Sequence, residues 1–167
     1  KLDATTLELT VGATGQLTAT LQPEDATDQT VTWSSSNEGV VTVDQNGGLK
    51  AKAAGTANIT VKTNDGGFTA TCTVTVKPVA VTGITLDRSE VSMKVGDMIV
   101  LTPTIQPENA TEQVVTWSSS NPSTVKVENG KLTALQEGTA TITAKCGEKT
   151  ATCTVTVQKA DITAESV

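Results

Sequence analysis

Apolar and polar positions alternate along much of the chain. Leu7, Leu9 and Val11 bracket Glu8 and Thr10; Leu17, Ala19 and Leu21 repeat the pattern; Ala57, Ile59 and Val61 follow; and Ala70, Cys72, Val74 and Val76 interleave with Thr71, Thr73 and Thr75. A period of two puts one set of side chains on each face of a strand, so each of these runs predicts a half-buried strand. Turn-forming clusters separate them: Gln22-Pro23-Glu24-Asp25, Asn46-Gly47-Gly48 and Asp65-Gly66-Gly67 early, then Gln106-Pro107-Glu108-Asn109, Asn129-Gly130 and Cys146-Gly147-Glu148. No stretch sustains a helical period. The Val- and Thr-rich composition agrees, since β-branched side chains fit a pleated surface better than a helix.

The pattern occurs twice. Val31-Thr32-Trp33-Ser34-Ser35-Ser36-Asn37 returns as Val115-Thr116-Trp117-Ser118-Ser119-Ser120-Asn121, and Ala70-Thr71-Cys72-Thr73-Val74-Thr75-Val76 returns as Ala151 to Val157. The spacing is 84 residues between Trp33 and Trp117, 83 between Leu49 and Leu132, and 81 between Cys72 and Cys153. Length changes therefore fall between strand-like segments, as expected of a fold copied in tandem with its loops free to vary. About seven short strands per copy predict an all-β chain of two antiparallel two-sheet sandwiches in series. The expected domains are 1–77 and 81–158, joined by a linker at 78–80, with 159–167 opening a following segment. Lys1-Leu2-Asp3 aligns with Thr85-Leu86-Asp87, so the first copy is expected to lack the counterpart of Val81-Thr82-Gly83-Ile84 and the chain to be a piece of a longer protein.

Order and repetition together resemble a known family. The Val-Gly opening at Val95-Gly96, the turn from Pro107 to Thr111, the Val-Thr-Trp-Ser-Ser-Ser-Asn strand, the Gly138-Thr139-Ala140 turn and the closing Ala-Thr-Cys-Thr-Val-Thr-Val resemble bacterial immunoglobulin-like domains of group 2. Such domains stand in tandem in bacterial surface proteins and intimin- or invasin-type adhesins. The resemblance implies an immunoglobulin-like sandwich acting as spacer, stalk or adhesive module outside the cell, with no catalytic residues to carry over.

Composition narrows the chemistry. With no His in the chain, neither a Ser–His nor a Cys–His nucleophilic pair can be assembled, and no enzyme or cofactor is expected. A formal charge of −6 gives no electrostatic footprint for nucleic acid, and no apolar run is long enough for a spanning helix. Aromatics make up only 2 % of the chain, so Trp33 and Trp117 are expected in the core, sharing the inward face with Val31 and Val115. Cys72 and Cys153 share a face with Ala70 and Val74, or Ala151 and Val155, and are expected to serve as small core residues. Cys146 lies near a hairpin tip, where a two-residue Gly147-Glu148 turn sets it opposite position 149 and Cys153 opposite Ile142; three free thiols follow. The family resemblance implies calcium as a candidate ligand of the acidic loops holding Glu24, Asp25, Asp28, Glu108 and Glu112. Their spacing is not that of converging ligands, and no metal is expected.

These features imply a monomeric, non-catalytic structural or adhesive module of a bacterial surface or secreted protein, with a protein or glycan partner not specified by any motif. The alternative is a carbohydrate-binding or spacer module of a secreted glycan-active enzyme. The short joint Lys77-Pro78-Val79-Ala80 lacks Gly and Ser and should be stiff. Two domains held in line by such a joint should give a radius of gyration of about 22 Å, against about 15 Å for a compact globule of this length. Small-angle scattering distinguishes the two, and a value near 15 or 16 Å would rule out an extended arrangement.

Overall fold

A computed structural model describes residues 1–160; the segment 161–167, which holds most of the expected following segment, lies outside the described residues. The chain forms two compact units, the first spanning Lys1–Val79 and the second starting at Ala80. The described residues are all-β. The first unit contains β1 (Thr6–Thr10), β2 (Thr14–Gln16), β3 (Val31–Ser35), β4 (Val41–Val43), β5 (Gly48–Ala51), β6 (Gly55–Thr63) and β7 (Thr69–Lys77). They form one sheet in the order β1-β7-β6-β3 and another in the order β2-β5-β4. Alternate residues of both sheets point into one core, where Leu17, Val41, Leu49, Ile59, Cys72 and Val74 are almost fully buried.

The second unit repeats the plan with β8 (Gly83–Leu86), β9 (Glu90–Lys94), β10 (Met98–Val100), β11 (Pro103–Gln106), β12 (Thr116–Ser119), β13 (Val125–Glu128), β14 (Lys131–Ala134), β15 (Gly138–Cys146) and β16 (Lys149–Gln158). Its sheets run β12-β15-β16-β9 and β10-β14-β13, and β8 pairs separately with β11. Among the described residues the first unit thus has the expected seven strands and the second has nine. The extra pair is the opening strand and its partner. In the first unit the corresponding pairing runs over Lys1–Asp3: a bridge joins Leu2 to Ala19, Lys1 and Thr20 exchange both main-chain hydrogen bonds at 2.7 Å, and the Asp3 N–H donates to the Thr18 carbonyl at 3.1 Å.

The sandwiches are not antiparallel throughout. β1 runs parallel to β7, and β9 runs parallel to β16. The cause is a change of sheet by the opening stretch, which lies antiparallel to one sheet at Leu2 or β8 and keeps its direction as it crosses to the edge of the other. It then runs alongside the closing strand. At the end of each crossing strand, Gly12 and Gly96 take φ of 86° and 95°, and their N–H groups donate to the carbonyls of Ala51 and Ala134 at 2.9 Å. That turn delivers the chain back to the first sheet.

The unequal spacings between the copies have local explanations. In the second unit Asn129-Gly130 forms a two-residue hairpin with both φ positive, 49° and 82°, the primed turn that matches strand twist. The first unit spends one more residue: Val43 pairs with Leu49, Asp44 and Gly48 are bonded, and Gly47 alone takes positive φ at 79°, the three-residue loop with a left-handed glycine. The β6–β7 hairpin loop is likewise two residues longer than the Gly147-Glu148 turn joining β15 to β16.

Gly130 also packs. A Cβ built there would stand 2.6 Å from the Leu101 carbonyl oxygen and 3.1 Å from Trp117 Cζ2, while one at Gly96 would meet nothing within 4 Å. Both positions carry left-handed strain for any side chain, worth about 1–2 kcal/mol. Gly130→Ala should therefore destabilise the second domain by about 2–3 kcal/mol and Gly96→Ala by only about 1–2 kcal/mol, compared by denaturant titration. Equal losses would mean that the indole does not need the bare backbone beneath it.

Candidate functional site

The repeated heptapeptide is the first place to look for chemistry. Trp33 stands opposite Val61 on β6 and Trp117 opposite Ala144 on β15. Trp33 is 9 % exposed; Trp117 is half-buried and packs against the core of its own unit. Neither ring lies open as a platform. The serines that follow are engaged in structure. Ser35 Oγ donates to the Val41 carbonyl at 2.7 Å, linking β3 in one sheet to β4 in the other. Ser36 and Ser120 Oγ accept the N–H groups of Asn58 and Thr141, each at 2.8 Å. Asn37 and Asn121 then close the next turn, their carbonyls accepting the amides of Val40 and Val41 or of Thr124 and Val125 at 3.0 Å. The motif is a joint between sheets.

The acidic loops are organised by their own neighbours. Gln29 Nε2 donates to the Glu24 carbonyl at 2.7 Å, and Gln113 Nε2 donates to the carbonyls of Glu108 and Ala110 at 3.0 and 2.8 Å. Asp28 Oδ1 accepts both the hydroxyl of Thr30 at 2.5 Å and its amide at 2.8 Å, which hold the carboxyl below its ordinary pKa. Glu112 Oε1 accepts the Val114 amide at 3.0 Å. Asp25 takes part in none of these bonds. The residue before the turn proline is joined by a cis peptide in both copies, at Gln22–Pro23 and Gln106–Pro107. Among the described residues no three of His, Cys, Asp and Glu gather as a metal site.

All three cysteines are free and fully buried. Cys72 faces Ile59, Cys153 faces Ile142, and Cys146 faces Lys149 across its hairpin. Cys146 Sγ donates to the Glu112 carbonyl at 3.6 Å, so the hairpin tip is tied to the acidic loop. Burial raises the pKa of Cys72, with a further push from Asp3; burial does the same at Cys153, with Asp87 and Glu90 adding to it and Arg88 opposing. Such thiols are poor nucleophiles.

One concavity stands apart from these features. At an end of the first unit a cleft of about 390 Å³ is lined by Lys1, Thr20, Leu21, Pro23, Val31, Val61, Thr63, Phe68 and Ala70, among others. Phe68 lies on its rim with 76 % of its surface exposed. Strand alternation does not single out Phe68. Its signal in the sequence is that the only Phe follows an Asp-Gly-Gly turn, where no core is within reach.

Comparison with known proteins accounts for the architecture. The family model for the bacterial Ig-like domain (group 2) matches residues 1–74 and again residues 80–157, and the chain belongs to this family. An Ig-like virion protein of Serratia phage KSP90 is 41 % identical over 155 residues, covering 89 % of this chain and 60 % of that protein. An uncharacterized protein of Clostridium acetobutylicum is 38 % identical over 139 residues, covering 82 % of this chain but 14 % of its relative. An alpha-L-arabinofuranosidase of Bifidobacterium longum subsp. longum is 36 % identical over 119 residues, 70 % of this chain and 11 % of the enzyme. The chain thus spans from about a ninth to three fifths of these relatives' own lengths.

The raised thiol values make stability depend on alkali. The folded domain keeps protons that the unfolded chain releases above the ordinary thiol value of 9.0, so this contribution is complete below that pH and is lost as pH rises through the folded values. The unfolding midpoint of the second domain should therefore fall between pH 8 and pH 10.5. Cys153→Ala should flatten that fall, whereas Val155→Ala, which leaves a cavity without removing a titrating group, should keep it. Parallel pH profiles for the two variants would show that the thiol carries none of the dependence.

Proposed function

We propose that these two group 2 bacterial Ig-like domains act as a non-catalytic spacer and adhesion repeat in the exported part of a longer protein, at a bacterial surface or in the medium. The observation that supports this most is where the repeated residues go. Trp33 and Trp117 pack within their own domains, the side chains of Ser35, Ser36, Ser120, Gln29 and Gln113 are hydrogen-bonded there, and the length differences between copies after the Trp fall in the hairpin loops. A module built this way keeps its body constant and offers its loop ends to a partner. That partner is a protein or a glycan met outside the cell, bound by a chain that is itself monomeric.

A second reading, an accessory module of a secreted glycan-active enzyme, is favoured by the match to part of an arabinofuranosidase. It differs from the first in what the domain carries rather than in how it is built. Direct stacking of sugar rings on tryptophan would require an open indole, and Trp33 is buried.

Fluorescence tests the role of the indoles. In Trp117→Phe, where Trp33 alone reports, iodide should quench native emission only weakly compared with the unfolded chain. In Trp33→Phe, where half-buried Trp117 reports, quenching should be stronger but still below the unfolded value. Soluble arabinan or xylan should leave both spectra unchanged. Strong quenching of Trp33, or a spectral shift on adding glycan, would turn the assignment towards sugar recognition.

A further inference from the structure

Asparagine precedes glycine twice, at Asn46-Gly47 and Asn129-Gly130, and the two pairs occupy the same hairpin of the two domains. Both asparagines are exposed and both glycines are buried. Each glycine carbonyl accepts a bond from the strand beside it, Gly47 from the Leu17 amide at 3.0 Å and Gly130 from the Leu101 amide at 2.9 Å. Each glycine also lies against the indole of its own domain, Gly47 by Trp33 and Gly130 by Trp117. By sequence alone the two pairs are equivalent.

They part at the peptide between asparagine and glycine. In the first domain it is tethered at both atoms: Gln16 Nε2 donates to the Asn46 carbonyl at 2.7 Å, and the Gly47 N–H donates to the Asp44 carbonyl at 3.1 Å. The Asp44 carboxylate clamps the same turn, accepting the amides of Asn46 and Gly48 at 2.8 Å each. In the second domain the repeat puts Val100 where Gln16 stands and Glu128 where Asp44 stands. Val100 has no side-chain donor, and Glu128 turns its carboxylate to Lys126 Nζ at 2.9 Å. The central peptide of a two-residue turn lies outside the bond that closes it. Among the described residues neither the Asn129 carbonyl nor the Gly130 N–H has a hydrogen-bonding partner.

We propose that Asn129 is a site of spontaneous deamidation, and that its product unseats the glycine packed against Trp117. The Gly130 nitrogen gives its proton to solvent and attacks Asn129 Cγ; a cyclic imide forms as the side-chain nitrogen leaves as ammonia. Water then adds to one of the two imide carbonyls and breaks its bond to nitrogen. Opening at Cγ restores the normal chain with an aspartate, whereas opening at the main-chain carbonyl routes the chain through Cβ and leaves isoaspartate. Glycine suits the first step because no side chain screens its nitrogen. Ring closure also requires the peptide plane to rotate against the asparagine side chain. Nothing holds that plane at Asn129, while at Asn46 both tethers must break first. Either product adds a negative charge, and isoaspartate adds a main-chain carbon to a two-residue turn. Gly130 has no room for the shift, since even a Cβ there would stand 2.6 Å from the Leu101 carbonyl oxygen and 3.1 Å from Trp117 Cζ2.

The full 167-residue chain is aged at mildly alkaline pH and digested, and mass spectrometry reads the conversion at each asparagine, with fragmentation that separates aspartate from isoaspartate. Native protein should lose the Asn129 amide at least about tenfold faster than the Asn46 amide, the scale for two hydrogen bonds broken ahead of reaction. In denaturant, where both pairs lie in an open chain, the two rates should converge. Gln16→Val should raise the native rate at Asn46 several-fold and leave Asn129 as it was. In the Trp33→Phe background, where Trp117 reports the second domain, aged protein should melt about 5 °C or more below fresh protein, and Asn129→Gln aged in parallel should keep its midpoint. Equal native rates at Asn46 and Asn129, or no gain at Asn46 in Gln16→Val, would overturn the site. An unchanged midpoint in protein converted to isoaspartate would overturn its effect on the glycine. None of these readouts depends on what the domains carry, so this inference can fail without the functional proposal failing with it.

Discussion

Each domain rests on one indole packed against bare backbone. In a chain with 2 % aromatic residues, the sheets are joined mainly by small aliphatic side chains, which leave a space that only a large ring fills. Trp33 and Trp117 fill it, and each can do so only because a left-handed glycine stands beneath the ring. The glycine is set by the hairpin, the hairpin by the register of its two strands, and the register by which residues face inward. A single contact between ring and backbone thus couples one sheet to the turn of the other. Ser35 reinforces the same junction through the Val41 carbonyl. The heptapeptide is repeated because it performs this joining, and the serines that look available for chemistry are spent on it.

Much of this was legible in the sequence. Alternation placed the strands, and the Gly147-Glu148 turn set Cys146 opposite position 149 and Cys153 opposite Ile142, the pairing that the structure contains. Those features are local: a two-residue turn and a period of two fix them without reference to the rest of the fold. The parallel edges were not legible, because parallel pairing joins residues about seventy apart and leaves no mark on either strand. Phe68 was not legible either, since an exposed aromatic belongs to no periodic pattern.

The copies also show which parts of such a domain can vary. Between them the hairpin joining β4 to β5 and that joining β13 to β14 use different turn classes, and the loop before the closing strand differs by two residues. The strand orders of the two main sheets do not change. The acidic loops have a middle status: their carboxylates differ between copies, yet Gln29 and Gln113 hold them in the same way, through bonds to backbone carbonyls rather than to side chains. The exchange of carboxylates between the copies therefore leaves intact the backbone bonds that shape these loops.

The parallel edge has a mechanical meaning. β1 lies beside β7, and β9 beside β16, with the first strand of each pair close to the entry of its domain and the second at its exit. Tension applied between entry and exit pulls the two strands in opposite senses along their length. Their hydrogen bonds are then loaded together in shear, instead of being opened one after another as in a hairpin pulled from its open end. A domain so connected resists stretching out of proportion to its modest core, and its weak point under load is this one ladder.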